Sequence, residues 1–147
     1  KTMKKLVVFA LLSVMMIAYS GKAQAAGPQK NTVAKDRVEV MYFHGKQRCV
    51  TCRAIEKATK EVLDTYFFNE VKSGKIQYRI IDISQPVNEK VADKYEVSWS
   101  SLFVNKWKKG KETKNSLTEF DFSYAKRSPA QFKTGLKKKI DELLKQK

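Results

Sequence analysis

From Arg37 to Phe43 the side chains alternate around Val38, Val40 and Tyr42, with Met41 and Phe43 on the opposite face. A segment apolar on both sides predicts a buried central strand. From Val50 to Val71 the period changes. Ile55, Thr59, Val62, Leu63, Tyr66 and Phe67 fall near one stripe, while Glu56, Lys57, Lys60, Glu61 and Asp64 fall largely outside it. That is an amphipathic helix, and Ser73-Gly74 is placed to end it. Ile76 to Ile83 reads as the next strand. Pro86 opens a short helix over Val87–Tyr95, and Ser101–Trp107 gives a third strand. Lys109-Gly110 supplies a turn, followed by a weaker fourth strand around Ser116–Phe120. Ser128-Pro129-Ala130-Gln131 has the form of a capping box, leading a last helix with Phe132, Leu136, Ile140 and Leu143 or Leu144 on one face. The predicted order is β-α-β-α-β-β-α.

The first 25 residues follow a different logic. Lys1, Lys4 and Lys5 precede fourteen uncharged, mostly apolar residues, Leu6–Tyr19, and Ala23-Gln24-Ala25 then offers an A-x-A cleavage site. The run is shorter than the ~20 residues that cross a bilayer. Residues 1–25 are therefore expected to be a signal peptide, 26–36 a flexible leader, and 37–147 one α/β domain. The expected location is periplasmic or otherwise extracytoplasmic, with membrane attachment only through an uncleaved signal peptide. A disulfide can persist in such a compartment.

Removing Lys1, Lys4, Lys5 and Lys22 lowers the net charge from +15 to +11, and the stretch from Lys106 onward carries +8 of it. A basic end can meet nucleic acid, an anionic surface or an acidic partner. No nucleic-acid motif accompanies the charge, so lysines solvating a helix face are the expected reading and no nucleic-acid partner is expected.

The chemistry concentrates in Tyr42-Phe43-His44-Gly45-Lys46-Gln47-Arg48-Cys49-Val50-Thr51-Cys52-Arg53, which holds both cysteines and the only histidine. With Cys49 at the helix cap, Cys52 falls on the same side of the first turn. The unpaired N–H groups and dipole there favour a Cys49 thiolate, and Arg48 and Arg53 push the same way. A thiol of pKa ~8.5 is only about 3% ionised at neutral pH, whereas one lowered to ~7 is about half ionised. A structural disulfide closing so short a loop would contribute roughly 2 kcal/mol. A soft-metal or metalloid pair, with His44 as a further ligand, stays open. The strand-to-helix context favours a redox-active dithiol with no other cofactor.

Phe43 leading to Cys49-Val50-Thr51-Cys52, together with Tyr95-Glu96-Val97 leading into Ser101-Leu102-Phe103-Val104, resembles the thioredoxin-fold superfamily over residues 37–147. The resemblance implies a central mixed sheet with helices on both faces. More narrowly, the run from Tyr42 to Cys52, the Asp64-Thr65-Tyr66-Phe67 helix end and Val97-Ser98-Trp99-Ser100-Ser101-Leu102 resemble thioredoxin-like nitrophenyl-compound nitroreductase subunits. That likeness implies a partner oxidoreductase, the alternative being protein thiol or disulfide clients. The helix position makes Cys49 the expected nucleophile and Cys52 the expected resolving thiol, and the superfamily resemblance puts Trp99, Ser100 and Ser101 in the substrate loop. Departures from the superfamily pattern bear on the site. Ser100 or Ser101 stands where a cis-proline is usual, so a trans loop is expected. Arg48 replaces a tryptophan. The strand before the motif offers no buried proton acceptor, since Glu39 lies far back; His44 could carry protons or simply hydrogen-bond within its loop. Trp107 is expected to pack, whereas Trp99 flanks the dithiol-facing loop.

The cleavage box gives a direct expectation. Intact-mass analysis of protein recovered from the cell envelope should show a chain beginning at Ala26. A retained Lys5–Tyr19 segment would place the protein in the membrane instead.

Overall fold

The computed structural model describes residues 35–146; the expected signal peptide and most of the expected leader lie outside the described residues. The elements are β1 (Arg37–His44), α1 (Val50–Tyr66), α2 (Phe68–Lys72), β2 (Ile76–Asp82), α3 (Glu89–Tyr95), β3 (Ser101–Lys108), β4 (Lys111–Thr113), α4 (Thr118–Tyr124) and α5 (Pro129–Lys145), with a 3-10 turn at Pro86–Asn88 before α3. The strands form one sheet in the order β2-β1-β3-β4. β1 pairs parallel with β2 and antiparallel with β3, and β3 pairs antiparallel with β4. This mixed sheet, covered on both faces, is the α/β arrangement expected from the sequence.

The alternation in β1 sorts its side chains between two cores. Val38, Val40 and Tyr42 face Ile55, Val62 and Leu63 of α1 and Phe132, Leu136, Ile140 and Leu143 of α5. Met41 and Phe43 face the other way, against Ile81, Tyr95 and Phe103. Phe43, Tyr95 and Phe103 meet as a trio of tilted and edge-on rings with centroids 5.0–5.8 Å apart. With ~1.5–3 kcal/mol for each large side chain buried, these two layers hold the sheet between its helices.

The long first helix differs from the sequence expectation at its end. It breaks at Phe67, whose backbone leaves the helical region at φ −130°, ψ 21°. The break lets Phe67 turn into the core while Phe68 stays exposed, and Tyr66, placed by periodicity on the buried stripe, is 54% exposed. Two consecutive phenylalanines cannot both face inward on a continuous helix, and Phe67 takes the core position.

The expected fourth strand at Ser116–Phe120 is also corrected. Lys109 and Gly110 do form a tight turn, both at positive φ (49° and 78°), and the strand that follows is the short β4. Ser116 keeps only an isolated bridge to Phe103. Leu117 N–H still reaches the Leu102 carbonyl at 2.8 Å, after which the chain winds into α4. Leu117, Phe120 and Ala125 all pack on the main core, a helical spacing that outweighs the β-forming aromatics of the segment.

The capping box is not formed, because the Ser128 side chain makes no cap hydrogen bond. Its backbone serves instead: Ser128 N–H donates to Tyr124 and Ser128 C=O accepts from Phe132, so α4 runs almost directly into α5. At the other end of the site, Glu96 caps α3 in the left-handed region (φ 54°), its N–H donating to Ala92 and Asp93. A non-glycine residue there is unusual, and it turns the chain sharply into the Val97–Ser100 loop. The basic α5 uses part of its charge locally, through Lys133–Glu61 (2.5 Å) and Lys137–Asp141 (2.6 Å). No helix among the described residues is long and apolar enough to cross a membrane.

Phe132 has no exposed surface and joins α5 to the sheet. Phe132→Ala should therefore destabilise the fold by about 3–5 kcal/mol in denaturant titration. Replacing Lys138 with Gln, on the outer side of the same helix, should cost less than ~0.5 kcal/mol.

Candidate functional site

β1 delivers the chain to the top of the sheet at His44, and α1 begins six residues later at Val50. Cys49 is the N-cap of α1, in extended conformation at φ −70°, ψ 168°. Its sulfur accepts a hydrogen bond from Cys52 N–H at 3.1 Å, in the place a serine or aspartate oxygen would occupy at an ordinary cap. Cys49 is exposed and Cys52 buried, both as free thiols. The Cys49 thiol is held below its ordinary pKa. The largest cause is the hydrogen bond with the Cys52 side chain, assisted by backbone N–H groups of the first turn and opposed by slight burial.

Neither flanking arginine is among the leading causes of that shift. Arg48 pairs with Glu56 and lies over the Tyr42 ring, 5.8 Å from its centroid. Arg53 is exposed on α1. Hydrogen bonds at the helix end thus lead the activation of Cys49. His44 does not join the cysteines. Its Nδ1 lies 3.0 Å from the Gly45 carbonyl, and its ring stands beside Asp82, paired with it across β1 and β2. Among the described residues no three His, Cys, Asp or Glu side chains are grouped to hold a metal ion. Glu39 is buried at the far end of β1 in an ion pair with Arg37 (2.6 Å).

The loop before β3 closes over Cys52. Ser100, 7% exposed, directs its hydroxyl to Cys52 Sγ at 3.3 Å. Ser101 is buried opposite Phe43 in the β1–β3 register, and its hydroxyl donates to the Trp99 carbonyl. The loop contains only trans peptide bonds. Trp99 is 62% exposed and stacks on Phe122 of α4 with centroids 5.5 Å apart. Val50, next in the chain after Cys49, is also exposed and gives the thiol an apolar neighbour. Trp107 lies at the opposite end of β3, under Arg37 and Lys94, and belongs to the packing.

Asp121 was not anticipated from the sequence. It sits on α4 with no exposed surface, and neither carboxylate oxygen completes a hydrogen bond. Burial pushes its pKa up to about 8; the nearby Phe122 N–H opposes the shift, and negative charge on Cys52 adds to it. The signal was present at Leu117, Asp121 and Ala125, an acid on the inward side of a helix, and was hidden once the segment was read as a strand. The site therefore has an exposed, activated sulfur and a buried one, the latter bonded by the Ser100 hydroxyl and within the electrostatic reach of the unpaired Asp121.

No protein-family model matches the chain, and no curated protein matches it by sequence. Among solved structures it is similar to a thioredoxin of Fasciola hepatica, at 21% identity over 73% of this chain and 81% of that one, with TM-score 0.45. A thioredoxin from Thermus thermophilus is similar at 17% identity over 69% and 72%, with TM-score 0.44. A malarial protein is similar at 18% identity over 71% and 97%, with TM-score 0.44.

Asp121 makes stability depend on pH with a definite sign. Its folded pKa of about 8 lies above the ~3.9 of an unfolded aspartate, so the folded state binds the extra proton between these values. Stability from this group is full below about pH 4 and is lost as pH rises toward 8. Urea titrations of the oxidised protein, in which neither sulfur ionises, should show that decline. Asp121→Asn should flatten it and be the more stable protein at pH 8.

Proposed function

We propose that this chain is an exported thiol–disulfide oxidoreductase acting through the Cys49–Cys52 dithiol. The observation that carries the reading is the pairing of an exposed, lowered-pKa Cys49 at the α1 N-terminus with a buried Cys52 one turn on.

In the reductive direction the Cys49 thiolate attacks one sulfur of a client disulfide. The client S–S bond breaks, a Cys49–client disulfide forms, and the departing client sulfur takes a proton from solvent. Cys52 then gives up its proton and attacks Cys49 Sγ, and the second client sulfur leaves as a thiolate. Two electrons pass to the client and the Cys49–Cys52 disulfide remains. The acceptor for the Cys52 proton is Asp121, whose pKa of about 8 is close enough to neutrality to exchange protons in both directions. Run in reverse, the same steps oxidise a client dithiol.

Exposed Val50, next to Cys49, and exposed Trp99, next to Ser100, supply apolar contact for the residues flanking a client cysteine. Outside the cytoplasm the dithiol requires an electron partner, and the sequence resemblance to nitroreductase subunits favours an oxidoreductase in that role. This chain supplies the dithiol and the partner supplies the cofactor chemistry.

Alkylation of the reduced protein near neutral pH should label Cys49 first, by at least tenfold over Cys52. Cys52→Ser should accumulate mixed disulfides on Cys49, and Cys49→Ser should accumulate none. Equal, slow alkylation of both thiols with no trapped species in either variant would defeat the assignment. So would reduced protein that purifies with one equivalent of a thiophilic metal, lost alike in both variants.

A further inference from the structure

The first step of this chemistry has its activation at Cys49; the second depends on a sulfur with almost no contact with water. Cys52 is 6% exposed. Forming a thiolate there is costly unless a donor meets the charge. The backbone N–H groups of the first turn are directed at Cys49, and Cys52's own N–H is already donated to Cys49 Sγ. Arg48 is engaged with Glu56. Asp121 repels a charge on Cys52 when it is itself ionised.

The Ser100 hydroxyl, 3.3 Å from the sulfur, is the donor the site provides. The same sulfur's residue is held from its other side, where the Tyr42 hydroxyl donates to the Cys52 carbonyl at 2.8 Å.

We propose that Ser100 is a catalytic residue for the resolving step, its hydroxyl donating to Cys52 Sγ and holding the negative charge as that sulfur loses its proton. The inference rests on the oxidoreductase reading above. The Ser100 hydroxyl is already directed at the sulfur while Cys52 is a thiol, and the bond tightens on the thiolate during attack on Cys49 Sγ. Once the Cys49–Cys52 bond forms, the sulfur is a weak acceptor and the bond loosens. No proton leaves Ser100; two electrons still move from dithiol to client.

A hydrogen bond to an ionised acceptor is worth more than a neutral one, so its loss should be visible in the second step alone. The experiment forms a mixed disulfide between Cys49 and a small aromatic thiol, thionitrobenzoate, and follows release of the coloured thiolate. Ser100→Ala should release it about tenfold more slowly than the parent, with the rate of Cys49 alkylation unchanged. Equilibration with glutathione should shift toward the disulfide in Ser100→Ala, a tenfold change corresponding to ~30 mV. Ser100→Thr, which keeps the hydroxyl, should restore release to within about threefold. Ser100→Gly repeats the loss should Ser100→Ala prove unstable.

Release at the parental rate from both hydroxyl-free variants overturns the role of Ser100 and leaves the oxidoreductase reading standing. Equal slowing of Cys49 alkylation and of release, with a lowered thermal midpoint, makes Ser100 a packing residue and also overturns it. A parent protein that never releases the thiolate defeats the oxidoreductase reading itself.

Discussion

The hydrogen bond from the Tyr42 hydroxyl to the Cys52 carbonyl ties the first turn of α1 to the top of the central strand. Tyr42 is itself fixed, with no exposed surface and a backbone paired on both sides, to Ile80 of β2 and Leu102 of β3. The position of both sulfurs relative to the sheet follows from this contact. Cys49, as N-cap, is held at the rim where the α1 backbone donors converge. Cys52 is carried inward toward the loop that starts β3.

That placement divides the electrostatics of the site. Cys49 meets the donors of an open helix end, in water, and its charged form is favoured. Cys52 is buried, with the Ser100 hydroxyl directed at its sulfur. An unpaired buried carboxyl costs stability at neutral pH. A buried titratable group of this kind marks a candidate functional site.

The basic half of the chain has a quieter explanation. Along α5, Lys137 pairs with Asp141, Lys139 with Glu142 and Lys133 with Glu61 of α1, while Lys137 also lies over the rings of Tyr66 and Phe67. The long lysine stems cover apolar surface that the helix break at Phe67 leaves near the edge of the core. Exposed pairs of this type contribute little each, so the charge chiefly solvates the helix.

The sequence by itself determined the features that repeat at short range. Alternation from Val38 to Phe43 marked the two-sided central strand, and the stripe from Ile55 to Leu63 marked α1. Cys49 and Cys52 at the strand-to-helix junction marked the dithiol, because a cap and the residue three positions on share one face whatever surrounds them. Only the tertiary structure decided the surroundings of Cys52. Ser100 is forty-eight positions from the sulfur it bonds, and Asp121 lies on a helix that the local pattern presented as a strand. Arg48, read as an activator of Cys49, was diverted to Glu56 by the first turns of α1. Period and propensity act along the chain, whereas the partner of a buried polar atom is chosen by which elements pack together, and that choice leaves no period to read.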